Sequence, residues 1–421
     1  MFDRTVAPPF KKITKIKIRQ PEKNLLSNGL ELYTINTSQQ PVLKLDLIFR
    51  AGKWFEKNNG ISFFTGKMLS EGVPGLSSAQ IAIVFEKYGA QIDISPGFDF
   101  LSISVYCLSK HLKYLLPLIK QIIYEPLFPI KELNTLKNIQ QQTLRVNNEK
   151  TSYVAGKKFR ESLFGSMHPY GRNLSESDID HISRSEIKHF FEEFIKNKPF
   201  TIIASGGFDE DVENLISSHF GIVAFTELVE FSPIPVSSNQ KDIFISDENR
   251  TQTSIRTGKL NIPMQHSDYH GLLIVNEILG GYFGSRLMKN IREEKGLTYG
   301  IYSSLVNWKN SSYFVIATDV KKELHAKAVA EIKKEIILLN ESLVSSDELE
   351  TVKNYLLGKI QASINTPFAL SHIFKNLFIN ELSYTYYDNL FRTIEEITSE
   401  DIRSIANRYL STDEMVTVSV G

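Results

Sequence analysis

The sequence predicts an α+β protein made of two duplicated α/β domains, each a mostly antiparallel sheet packed with helices. Three observations support this class. Short runs alternate apolar and polar residues as strands do, longer runs carry apolar residues at helical spacing, and one series of such elements occurs twice. The chain has 421 residues, of which 42% are hydrophobic and 23% charged. That length and balance suit two or more globular domains.

The first half opens with two neighbouring strands. In the second of them, Leu43, Leu45 and Leu47 alternate with Lys44 and Asp46, which is the period of a strand with one buried face. Farther on, a pair of serines precedes a run with helical spacing that a glycine closes. The predicted elements are strands at 30–36, 42–50 and 101–105 and helices at 61–70, 78–88, 109–123 and 131–150.

The second half repeats this series after a proline- and serine-containing linker at 222–242. The run 86–89 precedes two strands and a long helix, and the similar run 293–296 precedes the same series. We therefore predict a duplication, with domains at 1–225 and 240–421. The expected elements are helices at 268–279, 284–294, 322–340 and 346–365, strands at 299–305 and 312–318, and a last strand at 415–420; the string 348–354 also resembles 132–138.

Charge and cysteine content narrow the functional classes. Lys+Arg and Asp+Glu both count 48, so the net charge gives no reason to expect nucleic acid or an anionic membrane as partner. A single cysteine, Cys107, excludes an internal disulfide and a multi-cysteine metal site. The stretch Met1–Lys23 is basic and has no apolar run of signal-peptide length, and no later run is long enough to span a bilayer. We expect a cytoplasmic protein with no membrane span.

Three short motifs along the first half point to a family. They are Leu26-Ser27-Asn28-Gly29-Leu30, then Arg50-Ala51-Gly52 with Glu56 before Gly60, and finally His168-Pro169-Tyr170-Gly171. In order and spacing they resemble the insulinase/pitrilysin family of zinc metallopeptidases, the inverzincins, and in particular its half-length two-domain members. The resemblance covers nearly the whole chain. It implies a pitrilysin-like fold for both domains.

The family's zinc motif is absent where this frame places it. The motif His-x-x-Glu-His falls on residues 63–67, so that Phe63, Gly66 and Lys67 stand at the three chemical positions. Phenylalanine offers no lone pair, a protonated lysine repels a cation, and glycine has no carboxylate to act as a base. The family's third ligand, a glutamate, should fall near Gln140-Gln141-Gln142. The resemblance thus implies a zinc-deficient subunit that binds no metal itself.

The second half keeps another family segment. Gly280-Gly281 and Gly284 lead into Ile291-Arg292-Glu293-Glu294-Lys295-Gly296-Leu297-Thr298-Tyr299. The resemblance places the family's catalytic arginine on Arg292 and its tyrosine on Tyr299, with Gly296 ending the helix between them. Such a pair binds the substrate backbone and stabilises the charge that develops on the peptide carbonyl. Without the family, Arg292 would be read as a solvated helix charge and Tyr299 as a packing residue.

Other segments give weaker metal or nucleotide signals. His189 opens a zincin-like string, but Glu193 stands where the second histidine belongs. His266 and His270 are spaced i, i+4 and predict at most a surface pair capable of opportunistic metal binding. The glycine cluster around 280–284 lacks the Gly-Lys-Ser/Thr ending of a phosphate loop, and we interpret it as a helix break.

Two functions from different classes follow from the resemblance. In the first, the chain is the non-zinc subunit of a heterodimeric metallopeptidase, inactive alone, that lends Arg292 and Tyr299 to the zinc site of a homologous partner. Zn²⁺ would then be bound by the partner, and the substrate would be a peptide or unfolded polypeptide added as a strand to a sheet edge. In the second, the chain is a catalytically inactive scaffold or peptide-binding subunit of a larger complex. An autonomous peptidase would need ligands that the frame lacks.

Overall fold

The protein folds into two halves, each built around one large sheet. The computed structural model describes residues 5, 16–37, 40–228, 234, 236, 242–248 and 250–421. About half of the predicted linker at 222–242 lies outside the described residues, and the domain boundaries 1–225 and 240–421 remain predictions. Within the described ranges no helix is both long enough and apolar enough to cross a bilayer.

The N-terminal sheet has six strands in the order β1-β2-β8-β3-β7-β6. Neighbouring strands are antiparallel except β2 and β8, which run parallel. The strands of this half, including a small separate hairpin of β4 and β5, are β1 (Glu22–Leu25), β2 (Glu31–Asn36), β3 (Val42–Phe49), β4 (Gly72–Val73), β5 (Leu76–Ser77), β6 (Gln91–Pro96), β7 (Leu101–Leu108) and β8 (Thr201–Gly206). The predicted alternation in β3 is confirmed on one face, where Leu43, Leu45 and Leu47 are fully buried.

Helices cover one face of this sheet. They are α1 (Ile61–Met68), α2 (Ser78–Lys87), α3 (Leu112–Tyr124), α4 (Ile130–Asn148), α5 (Thr151–Phe164), α6 (Glu176–His181), α7 (Arg184–Phe194) and α8 (Glu210–Phe220). Several begin at sequence signals. Ser77 forms a capping box with Gln80 at the start of α2, and Gly89, whose φ is +56°, follows its end.

The C-terminal sheet has five strands in the order β11-β12-β10-β13-β9. They are β9 (Asp242–Ile245), β10 (Gln252–Asn261), β11 (Thr298–Asn307), β12 (Ser312–Lys321) and β13 (Val416–Val420). The helices of this half are α9 (Tyr269–Asn276), α10 (His325–Glu341), α11 (Ser346–Ala362), α12 (Pro367–Ile379), α13 (Thr385–Glu396) and α14 (Ser399–Tyr409). Two stretches predicted as helix are π-helical in part, at Glu277–Gly281 and Met288–Glu294.

The two sheets share one topology. Across the C-terminal sheet the strand order is β9-β13-β10-β12-β11, which corresponds to the order β2-β8-β3-β7-β6 in the N-terminal sheet. In each of these two series the first pair of strands is parallel and the other pairs are antiparallel. The predicted duplication is therefore confirmed at the level of strand order. It also makes β6 and β11 corresponding edge strands.

Each half contributes one helix to the sheet of the other half. α5 packs on β10 and β13, and α12 packs on β2 and β8. Where α12 packs on β2 and β8, the ring centroids of Phe374 and Tyr33 are 4.5 Å apart. Both residues belong to a buried cluster with Ile35, Ile48 and Ile203. The second face of each sheet is thus shielded from water by the opposite half.

The turn between β11 and β12 is anchored in the N-terminal half. The Trp308 and Tyr170 rings are tilted against each other with 4.5 Å between their centroids, and the Lys309 and Asn310 amides donate to Asp99 and to the Tyr170 hydroxyl, respectively. The Tyr170 hydroxyl donates to Asp99 at 2.5 Å. Tyr170 belongs to the His-Pro-Tyr-Gly motif, so this motif holds the C-terminal hairpin against the first half.

Candidate functional site

The three positions at which the resemblance places the zinc motif lie on α1, beside the edge strand β6. Phe63 lines a cleft of about 270 Å³ together with Gln140 from α4. Phe63, at the expected position of the first ligand, and Gln140, one of the three glutamines near the expected third ligand, thus line the same cleft. Gly66 lies against the sheet, and Lys67 donates from Nζ to the carbonyl of Ile94 on β6 at 2.6 Å.

The charged groups around this cleft are already paired. Glu56, whose side chain is fully buried, accepts from Arg172 at 3.0 Å and from the Ser62 hydroxyl at 2.8 Å. Lys53 donates to the carbonyl of Arg172 at 2.5 Å, and burial lowers the pKa of Lys53 to about 8. Because Glu56 is ion-paired with Arg172 and hydrogen-bonded to Ser62, its carboxylate is not free to act on a ligand.

The residues at the motif do not fit zinc. A structural or catalytic zinc site needs three or four nitrogen, sulfur or carboxylate ligands, and Phe63, Gly66, Lys67 and Gln140 supply none of the common kinds. Across the described ranges there is no group of three or more His, Cys, Asp or Glu side chains placed to hold a metal ion. The prediction of a degenerate motif rests on these residue types and their placement.

The interpretation of His266 and His270 as a surface pair was wrong. His266 is exposed, but His270 is 9% exposed and packs edge-on against the Tyr386 ring of α13, with 4.5 Å between centroids. Burial lowers the pKa of His270 to about 4. The i, i+4 spacing placed both residues near the start of α9, but it could not show that α13 covers the second one. His189, by contrast, is exposed and pairs with Glu193 at 3.3 Å.

Arg292 lies in the second π-helical segment and stacks on Phe283. The guanidinium carbon is 4.7 Å from the centroid of the Phe283 ring, which is 63% exposed. Cation–π stacking of this kind fixes the plane of a guanidinium without using its N–H donors. Phe283 was not singled out from the sequence, since no local spacing rule relates it to an arginine nine residues later.

Tyr299 stands at the opening of β11 and is almost fully solvated. Its side chain is 96% exposed, and the register of β11 against β12 shifts between Thr298 and Ile301, so Tyr299 lies at a β-bulge. Bulges redirect side chains out of a regular sheet. Gly296, with φ +59°, ends the π-helical segment before it, as predicted.

The elements that carry Arg292 and Tyr299 pack directly on each other. β11 contacts the π-helical segment, and Leu297 and Ile291 are buried between them. The two side chains thus project from adjoining elements of the C-terminal half, whereas Phe63, Gly66 and Lys67 belong to the N-terminal half.

Comparison with known proteins gives a consistent family assignment. Residues 32–176 match the family model "Insulinase (Peptidase family M16)", and residues 181–356 match "Peptidase M16 inactive domain". An uncharacterized zinc protease of Bacillus subtilis is 21% identical over 84% of this chain and 87% of its own. A protein of Helicobacter pylori named as a non-peptidase homolog is 21% identical over 93% of this chain and 94% of its own.

Solved structures agree on the fold. A peptidase M16 inactive domain from Pseudomonas fluorescens superposes with a TM-score of 0.85 at 25% identity, covering 95% of this chain and 98% of that one. A protease from Helicobacter pylori superposes with the same TM-score at 15% identity, over 96% and 100% of the two chains. About 95% of the chain therefore has a counterpart of the same fold among solved structures.

Proposed function

Because the chain belongs to the insulinase (M16) peptidase family, we propose that it is the zinc-deficient subunit of a heterodimeric peptidase. In this proposal a homologous partner carries the intact zinc motif and binds the Zn²⁺. This chain supplies Arg292 and Tyr299 to the partner's site. The substrate is a peptide or an unfolded polypeptide segment.

The observation that carries this proposal is the solvent exposure of the Tyr299 side chain. A tyrosine that is 96% exposed at a bulge buries almost none of its apolar ring within the chain, so it contributes little to the fold. Arg292 is likewise held by a ring that is itself mostly exposed. An arginine and a tyrosine presented from two adjoining elements suit contact with another molecule better than packing within this one.

The chemistry explains why these residue types would serve. Peptide hydrolysis puts negative charge on the carbonyl oxygen of the scissile bond, and N–H and O–H donors aimed at that oxygen favour the transition state. Arginine stays protonated and donates in a fixed fork, and the tyrosine hydroxyl adds a neutral donor. The zinc on the partner would supply the Lewis-acid chemistry that this chain lacks.

The experiment begins with purification of the tagged chain from its native cells and mass spectrometry of what accompanies it. We expect a partner of similar size with an intact His-x-x-Glu-His motif. In the reconstituted pair, Arg292→Ala and Tyr299→Phe should each lower kcat by about 10²- to 10³-fold, as the loss of one oxyanion donor does. The affinity between the subunits should stay unchanged.

Matched controls lie in the same elements. Lys289 is an exposed cation in the π-helical segment of Arg292, and Tyr302 is a 54% exposed tyrosine three residues beyond Tyr299. Lys289→Ala and Tyr302→Phe should leave kcat unchanged. If Arg292→Ala and Tyr299→Phe also leave kcat unchanged, the catalytic assignment of these two residues fails. The alternative of an inert scaffold or peptide-binding subunit then takes its place.

A further inference from the structure

The glycine cluster at 280–284, which the sequence predicts as a helix break, joins the two π-helical segments of the C-terminal half. Its backbone passes very close to β11. A Cβ at Gly280 would lie 2.7 Å from the backbone nitrogen of Ser303, and real Cβ atoms essentially never come that close. Only glycine therefore fits at position 280 without a shift of the backbone, and the cluster is held against the strand that carries Tyr299.

The residues on either side of Phe283 are tied to α11. The Tyr282 ring packs against Tyr355 with 4.8 Å between the centroids. Arg286 donates from Nε and Nη2 to the two carboxylate oxygens of Glu348, at 2.9 and 2.8 Å. A bidentate pair of this kind fixes orientation as well as adding energy. The backbone at Phe283 is thus held from both sides.

Phe283 itself is turned toward solvent. Its side chain is 63% exposed, whereas Ser285 and Leu287, which follow it, are buried. One exposed phenylalanine is common on protein surfaces and by itself carries no function. What distinguishes this ring is that the Arg292 guanidinium lies over it, 4.7 Å from the centroid.

Arg292 has no polar anchor in the described part of the chain. Its side chain makes no ion pair and no hydrogen bond with a described residue, although two glutamates follow it directly in the sequence. Lys295, one turn later, by contrast pairs with Glu331 at 2.5 Å. An arginine side chain that is left free samples many rotamers, and it loses that entropy when it must adopt one of them. The Phe283 ring is therefore the group that restricts Arg292.

We propose that Phe283 is a positioning residue, which holds the Arg292 guanidinium in the orientation that the substrate carbonyl requires. The ring covers one face of the guanidinium, and the N–H groups around its edge stay free to donate. The inference rests on the proposed function and deepens it, because it names what prepares Arg292 before a substrate arrives. Donors that are fixed in advance need no rearrangement in the transition state.

The first test uses the full chain alone and needs no partner. NMR of arginine-labelled protein locates the Nε–H proton of Arg292, which comparison with Arg292→Lys identifies. A proton over the face of an aromatic ring is shifted upfield. We expect this shift in the wild type and in Phe283→Tyr, and its loss in Phe283→Leu. Phe244→Leu is the control and should leave the signal unchanged, because Phe244 is another phenylalanine of this half that is 53% exposed.

The second test uses the reconstituted pair of subunits. Phe283→Leu should lower kcat by about 2- to 5-fold, which is what a solvent-exposed cation–π contact contributes, and should leave KM unchanged. Phe283→Tyr keeps an aromatic face and should retain the wild-type kcat, as should Phe244→Leu. In a chain that already carries Arg292→Ala, Phe283→Leu should have no further effect, because a positioning residue acts only through the group that it positions.

Failure of the positioning role differs from failure of the proposed function. If Arg292→Ala leaves kcat unchanged, the proposed function fails, and with it the role given to Phe283. If Arg292→Ala lowers kcat but Phe283→Leu changes neither kcat nor the Arg292 signal, only the positioning role is overturned. A rise in KM at constant kcat would assign Phe283 to contact with the substrate instead. A further loss of kcat in the Arg292→Ala chain would show that Phe283 acts without the arginine, which also contradicts the positioning role.

Discussion

Gly66 shows at the scale of one residue how tightly the chain packs at the position where the resemblance would place the glutamate of the zinc motif. It lies inside α1, and a Cβ there would come within 2.7 Å of Pro96 Cγ and 2.8 Å of Leu101 Cδ1. Real Cβ atoms keep a larger distance, so the neighbours would have to move. The carboxylate of an active family member has no room at this position, and replacing only Phe63 and Lys67 by histidine would not rebuild the site.

We expect Gly66→Ala to lower the free energy of unfolding by about 1–3 kcal/mol, the usual cost of overpacking a core. Gly358 is the matched control, because it is an exposed glycine inside α11 with no atom within 4 Å of its Cβ position. Gly358→Ala should raise the free energy of unfolding by about 0.5–1 kcal/mol through helix propensity. Urea unfolding followed by circular dichroism measures both. Stabilisation by both substitutions would show that the packing around α1 has space to spare.

At this scale the sequence shows whether a residue is chemically suited to a metal site, but it does not show which residues that residue contacts. Phe63, Gly66 and Lys67 could be recognised as unfit for zinc because a metal motif is local, with its ligands one helical turn apart. The contacts of these positions could not be predicted, since they come from β6, β7 and α4, which are distant in sequence. The same limit applies to Phe283 under Arg292.

At the scale of elements, the helices and strands lie close to where periodicity predicts them. The strand predicted at 299–305 is Thr298–Asn307, and the helix predicted at 346–365 is Ser346–Ala362. Periodicity does not identify what covers an apolar face. The burial of His270 by α13 illustrates this, because a histidine on a short apolar helix can equally face solvent.

The pH dependence of stability should report on the contact between α9 and α13. Burial lowers the pKa of His270 to about 4, and unfolding returns it to the ordinary histidine range near 6.5. The unfolded chain therefore binds the proton more readily, so the contribution of His270 to stability is complete above pH 6.5. It is lost as the pH falls toward about 4, by at most about 3 kcal/mol.

The measurement compares urea unfolding from pH 7.5 to 4.5 for three chains. His270→Phe keeps an aromatic ring against Tyr386 but cannot bind a proton, so it should remove much of the loss of stability below pH 6.5. His266→Gln alters the exposed histidine of the same segment and should retain that loss. A wild-type protein and a His270→Phe variant with parallel pH profiles would contradict the burial of His270 against α13.

At the scale of the whole molecule, the sequence predicts the duplication but not the exchange of helices, in which α5 and α12 each pack on the sheet of the other half. The repeated strings at 86–89 and 293–296 made the duplication visible, and the shared strand order confirms it. The exchange of α5 and α12 could not be predicted, since nothing in either helix indicates that its apolar side belongs on the other half. It follows from the three-dimensional arrangement, in which each sheet has two apolar faces and its own helices cover one.

The exchange implies that neither half is a complete folding unit. Without α12, the face of the N-terminal sheet formed by Tyr33, Ile35, Ile48 and Ile203 would be exposed to water. Without α5, the strands β10 and β13 would lose their cover in the same way. Apolar patches of this size are rarely left open in monomeric proteins, and they promote association.

We therefore expect residues 1–228 expressed alone to aggregate or to unfold without a cooperative transition. Fusion of residues 366–380, which contain α12, through a flexible linker should restore a monomer with a cooperative transition, as measured by gel filtration and thermal unfolding. The same fusion carrying Leu370→Asp and Phe374→Asp is the control and should fail, because both side chains are buried in the junction. A cooperative monomer of residues 1–228 without the added helix would show that the first half is self-sufficient. The two halves would then be held together by the Trp308–Tyr170 contact and the linker rather than by shared cores.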